Sequence, residues 1–310
     1  FMSGKRKSDR EKYYTFFYIS DRIYGRKEGC SGMSLTELWK EIVNFYDRLR
    51  LWYENRELYN RAGTLVIFGE KLPAMIEATR RMRNTERIKY LEGEIIRLIP
   101  DSDKLLSLRY GKDSAELLRV LTWFNVKTID NSRERFPFDK FKEGSGWSLE
   151  HIHAQNSEGL GNEKQWHTWI DKQKEALYSL PESSERNLLI KEATEAVSLE
   201  AMGRPLFESL FIRITEMLSA RLEDDDEDAN MHSIRNLALL QANDNAALNN
   251  SVFEAKRKMI GDLDRKGHFI PVCTRNVFTK YYTPASDNQL YFWGDSDREA
   301  YLDMICKTIY

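Results

Sequence analysis

An α+β, mostly helical protein is predicted from three observations. Through the first 130 residues, apolar side chains recur at three- and four-residue spacing, the period of an amphipathic helix. Residues 131–146, NSRERFPFDKFKEGSG, interrupt that period with Pro137, Gly144 and Gly146. Beyond them the order runs strand, helical insertion, strand, helix. The expected division is a helical region at 1–130 and a second domain at 131–310, with the insertion at about 156–231.

Taken in order, the helical region offers SLTELWKEIVNFYDRLRLWYENRELYNRA, LPAMIEATRRMRNTERIKYLEGEIIRLI and DSAELLRVLTWFNVKTI as helices. Ser34 opens the first with a capping box to Glu37. This region contains no glycine-rich phosphate loop, catalytic dyad or internal repeat. Its aromatic residues are most economically core. WSLEHIHAQN alternates apolar and polar residues as a strand does, and LFESLFIRITEMLSARL is the clearest helix of the insertion. HSIRNLALLQANDN is β-compatible, and AALNNSVFEAKRKMIGDL reads as the closing helix.

Composition excludes several classes. No stretch approaches the ~20 apolar residues of a membrane span, and the basic start FMSGKRKSDR lacks the apolar core of a signal peptide. Cys30, Cys273 and Cys306 lie far apart with no CxxC pair, which argues against a disulfide framework or cysteine-based zinc site and for a reducing cytoplasm. The formal net charge of −2 conceals an asymmetry: residues 1–130 hold 25 Lys/Arg against 19 Asp/Glu, and the remainder 22 against 30. EDDDED at 223–228 supplies six of those acids, while 253–282 carries seven Lys/Arg against three Asp/Glu, enough for a local basic surface.

The chemistry concentrates in WSLEHIHAQN. Glu150 beside His151 reads as a surface ion pair, as part of a transition-metal pair in which His153 joins His151 across the i, i+2 spacing of a strand, or as half of a hydrolytic site. A zinc pair would need a further ligand from His167, His232 or His268, which otherwise read as structural or surface residues. Downstream, Asn236, Asn245 and Asn250 precede Phe253 and Lys256.

Taken together, an acid–histidine pair ending one strand, an asparagine at the second and a last asparagine at the start of a helix closely resemble an HNH, or ββα-metal, nuclease site. RFPFDKF, WSLEHIHAQ, IRNLALL, NDNAALNNSVFEAKR and FIPVCTRNVFTKYY extend the likeness to the C-terminal nuclease half of GmrSD-type modification-dependent restriction proteins of anti-phage defence. It covers roughly residues 130–310 strongly and the helical region more weakly. Two departures are visible: Glu150 stands where many such sites carry aspartate, and Ala154 replaces a common proline.

The resemblance implies a cytoplasmic, metal-dependent DNA endonuclease using one Mg²⁺ or Mn²⁺. It makes His151 the base that activates water, with Glu150 and Asn245 as hard oxygen ligands. Asn236 is a tether for the loop presenting His151, and Lys256, Arg257 and His153 face nucleic acid. Asn250 and Phe253 support the site. It also implies double-stranded DNA as partner, an upstream nucleotide-using sensor domain ahead of this chain, no nucleotide on the chain itself and no membrane. A catalytically inactive nucleic-acid-binding module and a ribonuclease or zinc hydrolase on the same scaffold are the rival readings.

Overall fold

The computed structural model describes residues 14–25, 32–132, 134–140, 146–153, 160, 162–178, 180–199, 201–219, 231–242, 244, 253–283 and 293–310. It is mostly helical with a small two-stranded antiparallel sheet, an α+β architecture. The chain forms two compact units, one of residues 1–98 with 132–136 and one of 99–131 with 137–310. The division therefore falls at Leu98 and Ile99 rather than at 130, because a later helix of the N-terminal region packs with the sheet.

The first unit contains α1 (Tyr14–Tyr24), α2 (Leu35–Glu54), α3 (Arg56–Ile67), α4 (Leu72–Ala78) and α5 (Asn84–Leu98). Ser34 and Glu37 close the capping box at the start of α2. The long stretch beginning at Ser34 is not one helix. Asn55 takes extended backbone, and its side chain accepts the N–H of Leu58 at 3.0 Å, so it ends α2 and caps α3. Leu58 and Leu65 on α3 and Leu91 and Ile95 on α5 are fully enclosed, and α3 packs on α5. The buried Arg61 guanidinium meets Glu92 at 2.9 Å in that interface.

The second unit begins with α6 (Ser102–Leu105) and α7 (Ser114–Thr128). Leu117, Val120, Leu121, Trp123, Phe124 and Val126 are all inaccessible, so α7 is a core helix apolar on several faces. It packs against both strands of a hairpin, β1 (Trp147–His151) and β2 (Leu237–Gln241), paired antiparallel from Trp147 opposite Gln241 to His151 opposite Leu237. Gly146 enters β1 with φ 80°, a left-handed conformation that favours glycine. Leu237 to Leu240 are buried without alternation, the pattern of a strand covered on both faces.

Between the strands lies the insertion: α8 (Glu163–Tyr178), α9 (Ser184–Val197) and α10 (Arg204–Ser219). Trp166 stacks on Phe207 at 5.1 Å and Trp169 on Phe211 at 4.5 Å, giving these helices their own apolar centre. After β2 come α11 (Phe253–Arg265), α12 (Val272–Phe278) and α13 (Asp295–Ile309). Ala255 on α11 joins the insertion's core, so the insertion buttresses the helix that follows the hairpin. Among the described residues, no helix is long and apolar enough to cross a membrane.

Candidate active site

The site forms where β1 ends. Its ladder stops at His151, but the N–H of Ile152 still bonds Asn236 O at 2.8 Å before the chain bends away at residues 152–153. Asn236, fully buried in the 3-10 turn that leads into β2, holds that bend. Its Oδ1 accepts the His153 N–H at 3.0 Å, while its Nδ2 donates to the carbonyls of His153 at 2.8 Å and Met231 at 3.0 Å. A carboxamide suits this position because it presents acceptor and donor to both backbone groups of one residue.

Beyond the bend, His153 is 2% exposed and its Nδ1 accepts the N–H of Phe253, the first residue of α11, at 3.3 Å. Burial, with the positive charges of Arg298 and Lys256 adding to it, pushes this imidazole down to about 3, so it is neutral. Its expected place facing nucleic acid is corrected to a core position. The i, i+2 alternation that would pair it with His151 ends with β1, and the two rings have different partners.

Glu150 and Lys256 pair in the interior, the lysine 1% and the glutamate 10% exposed at their side chains. The ammonium also donates to His151 O at 2.5 Å, joining α11 to two consecutive residues of β1. Burial pushes the Glu150 carboxyl up against the pull of Lys256, and pushes Lys256 down against the pull of Glu150. Lys256 was expected at a phosphate. It is turned inward because the β1 carboxylate and carbonyl occupy its head while its aliphatic stem is packed. Arg257 is likewise engaged: Nε and Nη2 meet the buried Glu254 carboxylate at 2.6 and 2.9 Å.

His151 is half-buried at the strand end. Its Nε2 lies 3.3 Å from Nδ1 of His232, and the two rings meet at 70° with centroids 5.4 Å apart. Tyr110, in the turn before α7, touches the His151 ring edgewise at 4.6 Å and stacks on His232 at 14° and 6.2 Å. Its backbone N–H donates to His232 O at 2.8 Å. Burial first, then Lys256 and His232, holds His151 down at about 4.

Four sequence-nominated residues thus meet here: Glu150, His151, Asn236 and Lys256, with His153 and Phe253 directly behind. Asn245 and Asn250 lie outside the described residues. Tyr110 escaped the sequence reading and His232 entered it only as a possible further zinc ligand, since neither stands in the nuclease-like motif and both reach His151 through tertiary contacts alone. Of the other histidines, His268 pairs with the buried Asp244 at 2.8 Å and His167 lies 3.9 Å from Glu163 on α8. Compared with family models, with curated proteins and with solved structures, the chain finds no match.

Proposed function

We propose that this chain is a metal-dependent DNA endonuclease with an HNH, or ββα-metal, site, the effector of a restriction or anti-phage defence protein whose upstream domain uses a nucleotide. The observation that supports this reading is the convergence of an acid, an imidazole and an asparagine clamp on one strand end, closed by the first turns of the following helix.

Hydrolysis of a phosphodiester requires water to lose a proton while attacking in line with the leaving 3′ oxygen, and compensation for charge on the phosphate. Neutral His151 can take that proton. An approaching phosphate anion raises its basicity, because a nearby negative charge favours the imidazolium. Lys256 holds the Glu150 carboxylate and the His151 carbonyl together, while Asn236 fixes the turn beyond them. Lys256 therefore ties the acid to the backbone of the base, and Asn236 anchors the chain just beyond them.

Glu150 also tests the implied cation. A carboxylate is a hard ligand suited to Mg²⁺ or Mn²⁺; Lys256 takes Oε1, and no hydrogen bond from another described residue reaches Oε2. The group fits one coordination position of a hard cation, with Asn245 as the other proposed protein ligand. Once bound, such an ion offsets charge on the phosphate.

The test incubates the full chain with supercoiled plasmid in Mg²⁺, Mn²⁺ or EDTA, without added nucleotide, beside Glu150→Ala, Asn245→Ala and His151→Ala. Expected are nicking or cutting in either metal and none in EDTA. Single turnover should slow by roughly 10²–10⁴-fold in His151→Ala and fall sharply in the other two. Cleavage that survives EDTA overturns the metal assignment, and wild-type turnover by His151→Ala overturns the base.

A further inference from the structure

We propose that His232 is a positioning residue for His151: its Nδ1 accepts the Nε2–H of His151 and thereby presents His151 Nδ1 as the nitrogen that takes the proton from water. This rests on the reading of His151 as general base. Two ring nitrogens 3.3 Å apart share one hydrogen, so one must donate and the other accept. Were His232 the donor, neutral His151 would carry its own hydrogen on Nδ1 and its Nε2 lone pair would be engaged, leaving no nitrogen for water. With His151 the donor, Nδ1 keeps its lone pair, and no hydrogen bond from a described residue reaches it.

Tyr110 supplies the rigidity. It stacks on His232, meets His151 edgewise and bonds the His232 carbonyl, so three segments of the second unit hold the pair.

In the proposed step, the water proton moves to His151 Nδ1, the hydroxide oxygen forms the new bond to phosphorus, and the 3′ oxygen leaves with its bonding pair. His151 keeps its Nε2–H throughout, donating it to His232 Nδ1, and His232 stabilises the imidazolium that forms, the part played elsewhere by a carboxylate behind a catalytic histidine.

The experiment compares the full-length wild type with His232→Leu, His232→Asn and His151→Ala in single-turnover plasmid cleavage with Mg²⁺ or Mn²⁺, alongside DNA affinity. The His151 tautomer is read from long-range ¹H–¹⁵N NMR of the free protein. His232→Leu should slow turnover roughly 10–100-fold, the range for losing a group that orients an imidazole, with affinity retained. His232→Asn should restore most of the rate, because its Oδ1 can stand where Nδ1 stood. The wild type and the Asn variant should show His151 as the Nε2–H tautomer. A Nδ1–H tautomer in the wild type overturns the proposal whether or not any variant folds. Wild-type turnover by His232→Leu while His151→Ala is inactive overturns the positioning role alone. Wild-type turnover by His151→Ala overturns the base on which it rests. Zinc found in stoichiometric amount on both imidazoles overturns it in favour of a shared metal.

Discussion

His153 meets acid as an enclosed neutral imidazole. A histidine in the unfolded chain titrates near 6.5, whereas burial, Arg298 and Lys256 hold folded His153 down at about 3. Between those values the unfolded chain binds a proton that the folded chain does not. The stability contributed by neutral His153 is therefore complete above about pH 6.5 and declines on acidification by about 1.4 kcal/mol per pH unit. Urea unfolding at pH 6.5 and pH 5 should show a loss of about 2 kcal/mol from this residue. His153→Asn, whose Oδ1 can still accept the Phe253 N–H without titrating, should lose less by that amount. Equal losses would contradict a buried neutral imidazole.

Between elements, a buried ion pair joins α11 to β1 at the site. Both partners are desolvated, so removing one leaves the other uncompensated. Lys256→Met should destabilise the chain by about 3–5 kcal/mol, the range for breaking a buried pair from one side. Adding Glu150→Gln should recover much of that loss, because no unpaired carboxylate then remains. Denaturant titration of both single variants and the double variant measures the coupling. Additive losses would mean that the two side chains act independently. Elsewhere in the same unit, the Lys280 ammonium meets Asp297 and lies 4.9 Å from the Phe253 ring centroid, so a second enclosed pair supports the start of α11 from behind.

Across the second unit, the insertion and the site share a helix. Phe207 is 1% exposed and packs against Trp166, Trp169 and Phe211, while Ala255 carries the same core onto α11. Phe207→Ala should cost about 3–5 kcal/mol, as expected for an aromatic side chain removed from a core. It should also slow cleavage below its unfolding midpoint, since α11 places both the Phe253 N–H and Lys256 at the strand end. Full cleavage by a variant shown to be so destabilised would mean that the insertion does not support the site.

What the sequence determined by itself is local and periodic. Helical spacing, the Ser34 capping box, the short apolar-polar run of β1 and the strand–insertion–strand–helix order follow from rules that act within a few residues. Glu150, His151 and Asn236 were legible as a group because their types, order and spacing lie close to those strands. Tertiary structure decided the rest. Asn55 divides a continuous helical pattern because its side chain caps the next helix, and α7 leaves the N-terminal region because an apolar surface this broad needs the hairpin to cover it. Lys256 has a sequence suited to a surface cation yet lies buried, since a carboxylate 106 residues away is there to neutralise it. His232, 81 residues from His151, carries no local sign of that contact. The physical reason is the same in each case: periodicity reports which face of an element is apolar, but a polar group's partner is chosen by the packing of distant segments.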